Sequence, residues 1–532
     1  MIRISELKLP VTGNQRALEK KLAKALRVPV EEIKAYRIFK RSLDARKKDN
    51  IHYAYVVDAE VKNENKILEK NKDKHISKTP DLAYHLPKGE NRPSKRPVVV
   101  GFGPAGMFAA LLLAEMGLKP IVLERGGDVD SRKQAVDTFW QTGKLDVESN
   151  VQFGEGGAGT FSDGKLTTRI KDPRCRKVLE EMVDAGAPEE ILYDAKPHIG
   201  TDKLVQVVKN LRLAILRMGG EVRFETRLAG FERNGDALSA VYAQSAAGRE
   251  RIPCAACILA TGHGASDTYR MLAESGLLMQ AKPFAAGVRI EHPRELIDRS
   301  QFGAFAGHPR LGAAEYHLAD QSGGRGVYTF CMCPGGSVVA CASEQGGVVT
   351  NGMSCYARNG ENSNAAVVVQ VDARDYGAAD PLAGLRFREA LEREAFRRGG
   401  GGFIAPASQV GDYLAGRASS GFGAVRPTYA PGVRATDVAA CLPGFMAVGV
   451  RDGILAFGRR LKGFDMADAV ITAVESRTSA PVRIVRNENG EAPGLSGFYP
   501  AGEGAGYAGG IVSAAVDGMR TAEHVMERFA RP

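Results

Sequence analysis

Val98-Val99-Val100-Gly101-Phe102-Gly103-Pro104-Ala105-Gly106 is an apolar run that ends in a G-x-G-x-x-G turn, and its reading decides the fold. The pattern predicts a buried strand, a tight turn and a helix running from Met107 to Met116, with Ala110 and Gly117 extending the spacing of small residues. Pro120-Ile121-Val122-Leu123-Glu124 then predicts a second strand that ends in an acid. Each part has a physical task. Gly101 permits the turn, Gly103 lets backbone approach a pyrophosphate, and Gly106 with Ala110 lets helix and strand pack closely. The helix N-terminus, opening on Pro104 and Ala105, offers free N–H groups and a positive dipole end to phosphate. Glu124 can accept a hydrogen bond from a ribose hydroxyl, and Arg125 beside it belongs to the same candidate site. A strand on each side of the turn, with the acid at the end of the second, points to a dinucleotide.

The rest of the chain bounds this reading. A length of 532 residues predicts three or four domains, and 44% apolar with 25% charged residues is an ordinary globular composition. No stretch has the roughly eighteen consecutive apolar residues of a membrane span. The first residues lack the pattern of a signal peptide, and the eight cysteines sit mostly on apolar runs, so a reducing, cytoplasmic location is expected. The net charge of +10 is uneven: residues 1–96 hold 24 Lys/Arg against 13 Asp/Glu, leaving 48 against 49 elsewhere. Such asymmetry can mark an acidic or nucleic-acid partner.

Residues 1–90 read as a small basic α+β domain. Strands are expected over Ile2–Leu7, Ile33–Phe39 and Ile51–Val61, with helices over Gln15–Leu26 and Asn63–Asn71. A Pro/Lys/Arg-rich linker, 86–97, marks its end. The dinucleotide fold follows over 97–280 and resumes over 494–532. It includes a helix over Lys203–Met218, a strand over Glu221–Glu225, and an antiparallel pair, Ala237–Gln244 with Glu250–Leu259. Residues 281–493 lack a second strand–GxGxxG–helix and are rich in short strand candidates.

Three distant segments, the opening turn, Ile258-Leu259-Ala260-Thr261-Gly262 and Phe498-Tyr499-Pro500-Ala501-Gly502-Glu503-Gly504, stand in an order and spacing that resembles the glutathione-reductase-like flavoproteins. The resemblance implies non-covalent FAD, since no covalent-attachment motif is evident. Ala260, Thr261 and Gly262 would form a strand-to-turn corner. Glu503 would take the place of the commoner Asp on the ribityl chain. Leu228 would lie near the adenine. The helix after Gly510 and Ile511 can aim its N-terminus at the pyrophosphate or flavin. Gly157, Ala158, Gly159, Thr160, Ser162 and Gly164 can wrap a phosphate or the flavin edge, with Lys165 supplying charge.

At finer scale the chain is similar to a bacterial family of uncharacterised FAD-dependent dehydrogenases with a small N-terminal domain and a family-specific C-terminal domain. Among the residues that carry this are Phe153–Leu166, Lys196–Asp202, Gly287–Pro293, Thr329–Gly336 and Glu475–Arg483. The fold class expected is therefore α/β: a Rossmann-like FAD-binding domain with an inserted α+β substrate domain (281–493) and a small N-terminal α+β domain. The reaction implied is hydride transfer between a small-molecule substrate and FAD, with NAD(P)H as a transient reductant.

Flavin chemistry needs a wall over the ring and often a cation to hold the reduced anion. Arg289, Glu291 and His292 form a compact charged cluster in the sequence. Arg477 and Arg483 are candidate anion clamps, and His263, just after the Ala-Thr-Gly corner, is a candidate acid or base. The catalytic candidates are thus Arg289, His263, His292 and Arg477, each against the ordinary alternative of an ion pair or a structural histidine. Cys331 and Cys333 can share a face of one strand, where apolar packing competes with redox activity. Cys254 and Cys257 lie on a strand-like run whose alternation would put them on opposite faces, which argues against a redox C-x-x-C. No metal site is expected, because no Cys or His group has zinc spacing. In the N-terminal domain, Tyr36, Phe39, Tyr53 and Tyr55 interleave with basic residues and can stack bases. The second class of function is accordingly a flavoprotein that docks RNA or an acidic protein through residues 1–90.

Overall fold

The computed structural model describes residues 1–86, 93, 95–377 and 379–530. Most of the expected linker, 87–92 and 94, lies outside them. The expected α/β class is observed, built on several sheets.

At the N-terminus, strands Ile2–Pro10, Ile33–Asp44, His52–Val61 and Ile76–Lys78 form an antiparallel sheet. Helix Gln15–Leu26 begins where Asn14 caps it, accepting a hydrogen bond from the Ala17 N–H, and it buries Leu18, Leu22 and Leu26. The long strands bury Ile2, Ile4, Tyr53, Tyr55 and Val57 against it. Tyr53 and Tyr55 are 9% and 4% exposed, which removes both from any base-stacking surface. Their rings face inward with Val57 on the buried side of the strand, and Arg310 reaches across from the middle of the chain, donating to the Val11 carbonyl at 3.0 Å and to the Tyr55 hydroxyl at 3.2 Å. Arg41 pairs with Asp194 through bonds of 2.7 and 2.9 Å. The basic sheet is thus anchored to the rest of the molecule at two points.

The second sheet carries the glycine turn. Its five parallel strands lie in the order Phe498–Pro500, Cys257–Leu259, Val98–Val100, Ile121–Leu123 and Glu221–Arg223. Parallel strands covered on both faces read as unbroken apolar runs, as Val98–Val100 does. Helix Pro104–Glu115 is buried from Ala105 to Ala114 because it lies between this sheet and helix Ile511–Ala530. The two helices meet at Gly518, where a Cβ would overlap the Ala105 carbonyl.

The expected strand Glu250–Leu259 is two strands. Gly248–Pro253 closes a separate antiparallel sheet with Arg227–Asn234 and Ala237–Ser245, and Cys257–Leu259 joins the parallel one. The break between them cancels strict alternation, so Cys254 and Cys257 share one core cluster instead of facing opposite ways. Both remain free thiols that burial pushes up, Cys254 to about 12.

The middle of the chain builds a seven-stranded sheet around Phe284–Pro293. That strand pairs with Asn362–Val371 on one side and Val470–Glu475 on the other. Helix Gly444–Arg460 closes on it where Gly449 and Gly453 leave room for Val369 and Val327. Among the described residues no helix is long and apolar enough to cross a membrane.

Candidate functional site

The C-terminal ends of the parallel strands open into a cavity of about 620 Å³, within the range of small-molecule and cofactor sites. Its floor is the glycine turn. Gly101 has φ of 93°, and a Cβ there would sit 2.6 Å from the Ala260 carbonyl oxygen. A Cβ on Gly106 would overlap the Gly101 carbonyl, so Gly106 sets the packing without lining the cavity. Gly103, Pro104 and Ala105 line it at a helix N-terminus that has no side-chain cap, which leaves its N–H groups available.

Glu124 holds this floor together. One carboxylate oxygen accepts from the Phe102 N–H at 2.8 Å, the other from the Gly126 and Gly154 N–H groups at 2.9 Å each. A carboxylate has about four acceptor sites, so room for a hydroxyl donor remains. Arg125 lines the cavity as well, but Glu148 and Asp267 pair with it at 2.9 Å, which neutralises much of its charge. Leu228 lies on the wall with Thr226 and Arg227.

The Gly157–Phe161 turn forms the next wall. A Cβ on Gly157 would come within 2.9 Å of Gly103, and one on Gly159 within 3.2 Å of Ile511. Gly157, Ala158, Gly159, Ser162, Gly164 and Lys165 line the cavity. Thr160 does not. Its hydroxyl is turned inward to donate to the Glu155 carbonyl, so it braces the loop and offers nothing to a phosphate.

Beneath the loop lies Arg132, which the sequence reading missed. It is fully buried, and it donates to the carbonyls of Asn150 (2.8 Å), Val151 (2.9 Å), Glu155 (2.6 Å) and Gly157 (2.9 Å). Burial pulls its pKa down to about 10, which still leaves it charged at neutral pH.

Lys165 ends this wall, with its ammonium 2.9 Å from Asp163 and 3.1 Å from Glu315. Arg358 bonds the same two acids at 2.9 and 2.8 Å. Burial alone would lower the lysine pKa, but the two acids more than offset it, so Lys165 stays protonated.

The third glycine segment faces the first. Gly502 packs against Ala105 and does not line the cavity, whereas Glu503, Gly510 and Ile511 do. Ala260, Thr261 and Gly262 form the corner between these segments. Glu503 accepts from the Gly510 N–H at 3.4 Å and lies 3.6 Å from the Nε2 of His263. Burial pushes Glu503 up to about 7. Burial, aided by Arg388 and Arg477, pulls His263 down to about 3, so its imidazole is neutral. The His263 Nδ1 has no hydrogen-bond partner among the described residues.

The remaining catalytic candidates divide. Arg477 lines the cavity, with three of its N–H groups committed to Glu392 (3.0 and 2.9 Å) and Ser343 (2.6 Å). Arg289 stands one layer back, fully buried. It pairs with Glu475 at 2.9 Å and donates to the Cys331 carbonyl, and both of those residues line the cavity. His292 is not in the site. The period of the Phe284–Pro293 strand turns it to the opposite face from Arg289, where its Nε2 lies 2.7 Å from the Phe464 carbonyl. Glu291 bonds Thr428 and Asn362 instead of completing a cluster. Arg483, the other expected clamp, lies outside the lining as well. The middle of the chain instead supplies Lys282, Tyr328, Phe330, Cys331, Asn351 and Glu475 to the cavity wall. Of these, Phe330, Cys331 and Glu475 fall in the stretches that carry the family resemblance, whereas nothing local marked them for the cavity wall.

Comparisons with known proteins bear on the whole chain. Residues 283–478 match the family model "FAD-dependent protein, C-terminal domain-like", and residues 1–60 match a domain of unknown function. A protein of Clostridium beijerinckii, named only as uncharacterised, is 48% identical over 534 residues, covering 100% of this chain and 99% of the relative. Among solved structures, glycine oxidase from Bacillus cereus shares 10% identity over 82% of this chain and 99% of its own, with a TM-score of 0.36. L-proline dehydrogenase from P. horikoshii shares 11% over 83% and 95%, with a TM-score of 0.34. Those two likenesses are too distant to carry an argument about this chain.

The cavity fits the cofactor which that family implies. Gly262, Gly509 and Gly510 line it, and a Cβ on any of them would meet no described atom within 4 Å, so the bare backbone faces open space wide enough for a ligand. Two helix N-termini, at Pro104 and Ile511, converge there.

Proposed function

This chain belongs to the family of FAD-dependent proteins that share this C-terminal domain, and on that premise we propose that it is an FAD-dependent oxidoreductase acting on a small-molecule substrate. The observation that carries the reading is the meeting of three glycine segments, 101–106, 157–159 and 502–511, at one cavity beneath two helix N-termini. Bound non-covalently there, FAD supplies a two-electron acceptor for hydride. The chain's own residues do the rest. Glu124 and the free N–H groups of Ala105 and Ile511 hold the ribose and pyrophosphate. Leu228 packs near the adenine. Lys165, kept protonated by Asp163 and Glu315, places a fixed cation on the wall. His263 and Glu503 form a neutral imidazole–carboxyl pair able to hold or pass one proton near neutral pH.

Residues 97–280 with 494–532 are assigned to FAD, 281–493 to the substrate wall, and 1–90 to a separate basic domain. Arg477 and Lys282 are the cationic groups of the substrate wall, which suits an anionic or carbonyl-bearing substrate. NAD(P)H is the candidate reductant in the same cavity. Eight free thiols suit a reducing cytoplasm. With Tyr53 and Tyr55 buried, the basic domain suits an acidic protein better than RNA.

The test is anaerobic absorbance of the purified protein while metabolites and nicotinamides are added singly. Bleaching of a bound flavin by one of them is the expected result. A protein that releases no FAD on denaturation refutes the reading.

A further inference from the structure

Thr329-Phe330-Cys331-Met332-Cys333 ends the strand Arg325–Cys333, whose register against Asn362–Val371 shifts between Phe330 and Cys333. At the shift Cys331 takes φ of 43°, a left-handed conformation that a non-glycine residue adopts only when its surroundings impose it. Cys331 lines the cavity, and Cys333 is fully buried behind it. The two are drawn together: the Cys333 sulfur lies 3.4 Å from the Cys331 carbonyl oxygen, and one Arg289 nitrogen reaches both that oxygen and the Cys333 sulfur, the latter at 3.5 Å.

Both are free thiols in the structure. Their chemistry differs from that of the other cysteines. Burial pushes up Cys175, Cys254, Cys257, Cys341, Cys355 and Cys441, as it does inert packing thiols. Cys331 alone is held below the ordinary thiol value, first by its hydrogen bond with Cys333 and then by the cations of Arg289 and Lys165, which together outweigh burial and Asp163. Cys333 is correspondingly held above it. One thiolate beside one thiol, two residues apart, is the ionisation state that disulfide formation uses.

We propose that Cys331 and Cys333 are a redox-active dithiol that exchanges an electron pair with the bound flavin, a second two-electron centre in the same cavity. This rests on the FAD reading above. In the oxidising direction the Cys331 thiolate sulfur bonds to the Cys333 sulfur, and the S–H bond of Cys333 breaks. Its proton and the electron pair pass to FAD, leaving a disulfide and two-electron-reduced FAD. The reverse step cleaves the disulfide. Cys331, the sulfur on the cavity side, is the one open to an external thiol or disulfide. Arg289, one layer behind, is a positioning residue that holds the Cys331 carbonyl and the Cys333 sulfur in register.

The experiment uses the holoprotein treated with diamide, cleared of excess oxidant and titrated anaerobically with dithionite. Wild type is expected to take up about twice the electrons per FAD that Cys331→Ser or Cys333→Ser takes, because a disulfide is itself a two-electron couple. In parallel, the protein is denatured in iodoacetamide without reductant, and the tryptic peptide 326–358 is sequenced by mass spectrometry. Cys331 and Cys333 are expected to escape alkylation after diamide and to be alkylated after dithionite, a readout that needs no variant to fold. Flavin content, read from visible absorbance beforehand, separates the two ideas. A protein without flavin overturns the FAD reading and the exchange with it. A flavin-loaded protein whose two cysteines are fully alkylated after diamide, with equal electron uptake in wild type and variants, overturns the dithiol alone.

Discussion

Arg132→Met would remove the buried guanidinium that holds the 150–157 loop while keeping much of its volume. Three carbonyl oxygens then lose their donor, Asn150, Val151 and Gly157, while the Glu155 oxygen keeps only the Thr160 hydroxyl. A buried acceptor left unpaired costs about 1–3 kcal/mol. Water entering the vacated space recovers part of this, so about 1 kcal/mol each, or ~3 kcal/mol in all, is the working figure. The loop carries Gly154, which bonds Glu124, and Gly157, which packs on Gly103, so its disorder falls on the dinucleotide floor. If cofactor binding has to restore the loop, ~3 kcal/mol corresponds to a rise of about 150-fold in the Kd for FAD. The assay is titration of apo-protein with FAD followed by flavin fluorescence, with circular dichroism to show that the fold persists. Arg132→Lys, which keeps the charge and fewer donors, should fall between. A Met variant that binds FAD within about threefold of wild type would refute the account of this residue.

Three further outcomes are expected. Gly262→Ala points a methyl into open cavity, so apo-protein stability should hold within about 0.5 kcal/mol while flavin content drops, whereas Gly106→Ala forces a methyl onto the Gly101 carbonyl and should lower apo-protein stability by about 2 kcal/mol or more, both read by denaturant unfolding with flavin absorbance. Burial raises Glu503 from its ordinary 4.5 to about 7, so the native state binds the proton more tightly than the unfolded chain does. The contribution of Glu503 to apo-protein stability should therefore be lost as pH rises from about 4.5 through 7, and Glu503→Gln should remove that component from a pH series of unfolding curves. His292→Leu removes the bond to the Phe464 carbonyl and should cost about 1–2 kcal/mol of stability without altering the flavin spectrum or its reduction, a result that an active-site histidine would not produce.

The parts of this molecule that could be read from its sequence are those whose physics is local. Helix Gln15–Leu26 was legible because its apolar spacing and its Asn14 cap lie within a dozen residues. The floor of the cavity was legible for the same reason, since the turn, the helix start and Glu124 are all set by near neighbours. The seven-stranded sheet was not. Its central pairings join Phe284–Pro293 to residues near 365 and 472, and strands buried on both faces lose the alternation that would reveal them. Glu250–Leu259 failed for a related reason, because an apolar run does not say which of two sheets claims each half. Arg132 was hidden because an arginine within a mixed helix reads as a solvated charge. His292 could have been set aside at once: it stands three positions after Arg289, an odd offset, so on a strand the two cannot share a face.

The order of the parallel sheet also governs when the protein can become functional during synthesis. Strand Val98–Val100 is flanked by Cys257–Leu259, and beyond that by Phe498–Pro500, which is followed by the helix whose start closes the cavity. At about 5–20 residues per second the ribosome needs roughly 20–80 s between making the first of these strands and the last. Through that interval the nascent chain has its glycine turn but neither Glu503 nor the second helix N-terminus. Completion of the cavity is therefore a late event in synthesis, and until then the apolar strand edge at Cys257–Leu259 has no Phe498–Pro500 to cover it.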